Sequence, residues 1–290
     1  MHPSTVSRSR AATWLDLGFD RLSLGIQSTS DEVLRFLGRP HDAATALDAL
    51  DVLVTAARAA PGPRSVSADL ITAVPGQTVA DVGADVDTVA RRGVDHLSAY
   101  TLTIEAGTPF DRAGVEVDPE LERQALLVTD EVASRHGLAR YEVSNHARPG
   151  CESAHNLAYW RNRHYLGLGP GASAYEPRAV GDPPGVVGWR RTNPPLDRWL
   201  ELARAERFGA EAVSAEQAAL EGMMVGLRLT EGVDLRALTD QVGFDVAEHF
   251  AGPLASAEAA GHLTVDLTRG RARPTPAGFL VLDRVGAGFA

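Results

Sequence analysis

Between Cys151 and Tyr175 the chain reads CESAHNLAYWRNRHYLGLGPGASAY. His155, Asn156, Tyr159, Trp160, His164 and Tyr165 fall close together there, and the glycine-rich turn Leu166–Gly171 follows at once. A segment that only had to fill a core would not spend so many polar rings and glycines. Rings stack and imidazoles coordinate or hydrogen-bond, so the run suits a planar ligand or a metalloporphyrin. The same residues also suit a polar network buried under a loop. A second set of candidates lies upstream: Gln27, Ser28, Arg39, His41, Asp69, Thr103 and Glu105. Asp69 is the sharpest, because a carboxylate inside the apolar run Ser67-Ala-Asp-Leu-Ile71 needs a partner for its charge. Its use is to hold ligand hydroxyls or amines; the alternative is a salt bridge to an arginine such as Arg39.

These residues need elements to position them. Arg21–Ile26 reads as a short apolar strand, and a helix runs from about Asp42 to Ala60 with Ala46, Leu47, Leu50, Leu53 and Val54 at helical spacing. Pro61-Gly62-Pro63 breaks it. Val66–Ile71 is the next strand, Thr78 caps a helix ending near Arg92, and Gly93 closes it. His96–Ile104 is a third strand, and a helix from Asp118, with Pro119 at its first position, runs to His136. Strands alternating with such helices predict βα units and a parallel sheet, whose ligands bind at the carboxyl ends of the strands. Gln27, Asp69, Thr103 and Glu105 all fall at or near those ends.

Composition narrows the class. Apolar residues make up 44% and charged residues 23% of 290 residues, as in an ordinary soluble protein. No stretch approaches the roughly 20 apolar residues of a membrane helix, so a peripheral contact is the membrane association left open. The start lacks the apolar core of a secretory signal. All 28 basic residues are arginine, which reads as codon bias; the net charge is −10 with no basic cluster, which argues against nucleic acid. The one cysteine, Cys151, excludes an internal disulfide and a cysteine-built metal site, and is compatible with the cytoplasm.

Beyond a Pro/Gly-rich stretch at 177–195, read as a linker, a helix is predicted from about Ala215 to Arg228. A short helix from Asp234, a longer one from Asp245 to Ala260 and a hairpin of His262–Leu267 with Arg271–Pro274 follow. Three helices and a hairpin are winged-helix-like. The helix that would enter a groove carries Asp245, Glu248, His249 and Glu258 and no arginine, which argues against DNA.

Taken in order, several segments resemble one family. They are GFDRLSLGIQS (18–28), LGRPHD (37–42), ADLITAVPGQT (68–78), HLSAYTLTIEAGTPF (96–110), YEVSNHARPG (141–150), HNLAYW (155–160), YLGLGPGASAY (165–175) and GMMVGLRLTEGVDL (222–235). The chain resembles the radical S-adenosylmethionine proteins related to oxygen-independent coproporphyrinogen III oxidase, most closely the HemW-type heme chaperones. The resemblance implies an α/β fold. Residues 1–176 would be the later part of an incomplete (β/α)6 barrel with a heme-motif extension, and 196–290 a small helical C-terminal domain. It places Gln27, Arg39 and Asp69 at the S-adenosylmethionine. His155, Asn156, Tyr159 and Trp160 form the HNxxYW motif associated with heme, which the oxidases proper lack. Ala73 stands where a glycine is usual.

One departure is large. The family holds a [4Fe–4S] cluster on three closely spaced cysteines, and carboxylates do not replace thiolates there. This chain has none of the three, so it is expected to cleave no S-adenosylmethionine and to be a truncated or mis-started form, its half barrel leaving an open sheet edge. The function implied is heme binding and delivery to acceptor hemoproteins, with His155 the leading axial ligand, then His164 and, more distantly, Cys151. The rivals are a coproporphyrinogen dehydrogenase and a cluster-free binding module.

Overall fold

The computed structural model describes residues 1–201 and 210–290. The part of the expected C-terminal region at 202–209 lies outside the described residues. The chain forms two compact units, Met1–Glu152 and Ser153–Ala290.

The first unit is α/β. After a helix α1 (Arg8–Asp16), three βα steps follow: β1 (Arg21–Gln27), α2 (Ala43–Ala59), β2 (Ser65–Thr72), α3 (Val79–Ala90), β3 (His96–Thr101) and α4 (Pro119–Arg135). Asp42, Thr78 and Asp118 cap the three long helices by accepting from backbone N–H groups, and Asp81 closes a capping box on Thr78. β1, β2 and β3 are parallel, as the βα alternation predicts. The two short strands that follow, β4 (Ala139–Arg140) and β5 (Asn145–Ala147), complete the order β1-β2-β3-β5-β4 and are antiparallel additions. The chain leaves α4 through Gly137 and turns back within a few residues, too few for a parallel crossover.

The sheet has two unlike faces. Leu22, Leu24 and Ile26, with Val66, Ala68 and Leu70 and with Leu97, pack onto Leu50 and Leu53 of α2 and Val86 and Val89 of α3. Each fully buried aliphatic contributes roughly 1.5–3 kcal/mol. The alternate residues, Ser23, Gly25, Gln27, Ser67, Asp69, His96 and Ser98, share the opposite, polar face by the two-residue period of a strand. The outer edge of β1 is partly occupied: the Met1 ammonium donates to the Ser23 carbonyl at 2.6 Å, and the Gly25 N–H donates to the Met1 carbonyl at 3.0 Å.

The second unit opens with α5 (Ala154–Trp160). Its first sheet is antiparallel, β6 (Ser173–Pro177), β7 (Val186–Thr192) and β8 (Glu211–Ser214). The stretch 177–195 expected to be a linker therefore contains a strand. Pro and Gly punctuate its turns, while Val186, Val187 and Trp189 give β7 its strand character. Then come α6 (Ala215–Gly226), β9 (Val233–Asp234), α7 (Leu235–Val242), α8 (Val246–His249), α9 (Ala251–Ala259) and a hairpin of β10 (Leu263–Asp266) and β11 (Arg271–Pro274), which β9 joins. The single helix expected over 245–260 is broken at Phe250. Pro253 offers no N–H and its ring would collide with the carbonyl four residues back, so the helix restarts. No described helix is long and apolar enough to cross a membrane.

Candidate functional site

On the polar face of the first sheet, Gly25, Asp69 and Ser98 are register partners across three strands, and Asn145 extends the row on β5. Asp69 is half-buried, and its carboxylate accepts from the Ser23 hydroxyl at 3.0 and 3.2 Å. It is not paired with Arg39. Gln27, the last residue of β1, takes a left-handed φ of 73°. That turn folds its side chain back over Gly25, where any added Cβ would lie 2.6 Å from Gln27 Nε2. Because Gly25 and Asp69 are strand neighbours, the Gln27 amide and the Asp69 carboxylate come to adjacent positions.

The backbone that turns Gln27 is clamped from below. Asp85, 5% exposed on α3, accepts from the Ser28 hydroxyl at 2.8 Å, from the Thr29 N–H at 3.0 Å and from the Thr29 hydroxyl. Sequence reasoning missed Asp85, although a signal was there. It is a carboxylate on the same stripe as Val82, Val86 and Val89. Ser28 is thus spent on structure. So is His41, buried, with Nε2 on the Ile26 carbonyl and Nδ1 on His2 Nε2, each at 3.2 Å. Arg39 is exposed, and its guanidinium makes no hydrogen bond or ion pair among the described residues. Thr103 and Glu105 are exposed beyond β3 and do not join the Asp69 row.

One row below Asp69, His96 is 1% exposed and bonded on both nitrogens, Nδ1 to Ser67 Oγ at 2.8 Å and Nε2 to the Tyr141 hydroxyl at 2.9 Å. Burial, reinforced by the positive charge of Arg21 and by His146, lowers its pKa to about 3. His96 is therefore neutral near pH 7, donating through one nitrogen and accepting through the other. The YEVSN segment resolves in the same region. Glu142 is fully buried and accepts from the Asn145 amide and from the Ser144 N–H, locking the turn before β5.

In the second unit, Ser153 caps α5 and holds Asn156 twice, accepting from its N–H at 3.3 Å and donating to its Oδ1 at 3.1 Å. His155 and Tyr159, one turn apart and both exposed, meet edge to face with ring centroids 4.7 Å apart. Tyr159 in turn lies 4.4 Å from Tyr165, so three rings form a ladder on the surface. Burial raises the Tyr165 pKa. Trp160 points elsewhere: it lines a cavity of about 280 Å3 with Asn162, Arg163, Gly226, Leu238 and Gln241. The Arg228 guanidinium sits 5.7 Å from its ring centroid. His164 leaves the ladder and packs on Tyr175 at 4.8 Å, with burial lowering its pKa. Cys151 belongs to the first unit, where its carbonyl accepts from Arg21 and burial raises its thiol pKa. That is the opposite of what favours a thiolate ligand.

The C-terminal unit matches a known domain, the HemN C-terminal domain, over residues 213–281. The heme chaperone HemW of Synechocystis sp. is 36% identical over 239 residues, 80% of this chain. That of Bacillus subtilis is 30% identical over 252 residues, 83% of this chain. Over most of its length the chain is similar in sequence to HemW heme chaperones. It spans 55% and 62% of the length of those two HemW proteins. The solved coproporphyrinogen III oxidase HemN of Escherichia coli, a radical SAM enzyme, superposes over the whole chain and 68% of its own length with a TM-score of 0.76. At 19% identity that likeness speaks to the fold.

The iron–sulfur cluster that the resemblance implies does not fit the residues present. The chain has one cysteine, and no group of three histidines, cysteines or carboxylates among the described residues could hold a metal ion. A heme iron asks less, a single accessible imidazole, and His155 is one.

Proposed function

We propose that this chain binds heme as cargo on its C-terminal unit and hands it to acceptor hemoproteins, a reading consistent with the name heme chaperone that its HemW relatives carry. The observation that supports this most directly is the ladder formed by the exposed rings of His155 and Tyr159 on α5 and the half-buried ring of Tyr165 just beyond it. An imidazole able to reach an iron stands against two rings able to stack on a porphyrin. His155 serves as axial ligand. Asn156, held by the Ser153 cap, fixes the first turn of α5, and Trp160 anchors its far end against α6 and α7.

The first unit is read as part of an incomplete radical SAM barrel, and the C-terminal helices and hairpin as a winged-helix-like domain. The polar face around Asp69 then holds S-adenosylmethionine. When bound, that molecule brings ribose hydroxyls and a methionyl carboxylate. Asp69 accepts from the hydroxyls, Gln27 both donates and accepts, and Arg39 pairs with the carboxylate. With one cysteine, the chain lacks the three thiolates that the iron–sulfur cluster takes. The single cysteine also fits a cytoplasmic protein.

Transfer is the test. Chain loaded with ferric heme is mixed with excess apomyoglobin, and the absorbance of holomyoglobin is followed. The proposal expects transfer in which heme release from the chain sets the rate. A chain that takes up no heme, or never yields it, contradicts the proposal. Calorimetry with S-adenosylmethionine tests the second site, where Asp69→Ala is expected to weaken binding about tenfold or more, in line with loss of a hydrogen bond to a charged group.

A further inference from the structure

Leu166 and Leu168 keep 73% and 86% of their surface exposed. The loop that carries them is held in place. Asn193, 6% exposed, donates through Nδ2 to the carbonyls of Gly167 at 3.1 Å and Gly169 at 2.8 Å. The Asn193 N–H donates to the Ala172 carbonyl at 2.8 Å, and the Gly171 N–H to the Pro194 carbonyl at 2.9 Å. At Gly167 even a Cβ would lie 2.5 Å from the Ser173 carbonyl oxygen. A loop braced this tightly holds its two leucines in water.

The loop continues the ring ladder directly: Tyr165, its last ring, is bridged to Tyr175 through two backbone hydrogen bonds of 2.8 and 3.0 Å. Before the ladder's last ring stands Arg163, exposed, whose guanidinium makes no hydrogen bond or ion pair among the described residues. A short segment thus offers a cation, a ring and two aliphatic side chains. A porphyrin has the matching parts, carboxylate-bearing propionates at one edge and an apolar face elsewhere. We infer that the braced 166–171 loop is the apolar lip of the heme site, with Leu166 and Leu168 packing on the macrocycle and Arg163 meeting a propionate. This rests on the heme reading given above.

Metal-free protoporphyrin IX separates the lip from the axial ligand, because it has no iron for His155 to bind. Its fluorescence is titrated with the chain, with Leu166→Ser, with Leu168→Ser and with the double variant. Both leucines are exposed, so folding, checked by circular dichroism, stays intact. Each serine is expected to weaken protoporphyrin binding about tenfold, the worth of burying much of one leucine. His155→Ala is expected to change the ferric-heme spectrum, which depends on the iron that protoporphyrin IX lacks. Arg163→Gln is expected to weaken protoporphyrin IX but not its dimethyl ester.

If the chain binds protoporphyrin and the leucine variants bind it equally well, the lip is overturned and the heme reading survives. If the chain binds neither porphyrin nor heme, the heme reading itself fails. If the serines leave porphyrin affinity unchanged but turn a dimer into a monomer in sedimentation, the leucines are a contact between copies, and the inference is wrong.

Discussion

Asp69 has a partner on its half-buried strand: the hydroxyl of Ser23, one strand over and one row below, lies within hydrogen-bond reach of both of its carboxylate oxygens. Ser23→Ala should therefore cost about 1 kcal/mol in urea unfolding, the price of a hydrogen bond to a charged acceptor less what solvent restores. Ala73 shows a different balance. It has a left-handed φ of 58° and is fully buried, a backbone conformation that glycine adopts without strain. A glycine would relieve about 1 kcal/mol of strain but lose a packed methyl worth about 0.8 kcal/mol. Ala73→Gly is thus expected to change stability by less than about 0.5 kcal/mol, whereas Ala73→Val, β-branched and oversized, should destabilise by about 2 kcal/mol or more. Asp69 was legible in the sequence because a carboxylate in an apolar strand is conspicuous. Ser23 was not, since a serine in a strand has no signature until register brings it beside an acid.

Elements with strong local signals were read close to their ends: Asp42, Thr78 and Asp118 announced the three long helices, and glycines announced where chains turned away. The antiparallel β4 and β5 were missed, being two and three residues long, with a pairing that depends on β3 rather than on their own pattern. The sheet of β6–β8 was missed because proline and glycine around β7 looked like a linker. Asp85 is the element-scale device that sequence pattern could have found but did not. It ties α3 to the loop after β1 and so sets the Gln27 turn. Asp85→Ala should destabilise the chain by about 2–3 kcal/mol, because Ser28 and the Thr29 N–H lose a charged acceptor inside the fold. Hydrogen exchange should rise first at Gln27–Thr29. Unchanged exchange there would show that the clamp does not hold the turn.

At the scale of the whole molecule, stability should depend on acid in a specific way. His96 falls from 6.5 to about 3 in the folded chain, so between those values the unfolded chain binds the extra proton. Stability is then complete above about pH 6.5 and is lost as pH falls, by about tenfold in the folding constant per unit once inside the window. Burial lowers His146 as well, adding in the same sense. Urea unfolding from pH 7 to 5, above the ordinary carboxylate range, should show this slope, and His96→Asn should flatten it. An unaltered slope would place the acid sensitivity elsewhere. The chain carries a net charge of −10 and spans 55% and 62% of the length of the two HemW relatives compared. The heme role rests on residues that this chain does have. The most direct test is a titration of ferric heme against the chain and against His155→Ala, followed through the Soret band. Saturation at one heme per chain, with affinity reduced about tenfold or more and the band shifted in the variant, is the predicted result. An identical isotherm and spectrum for both proteins would contradict the assignment of the heme site to the face of α5.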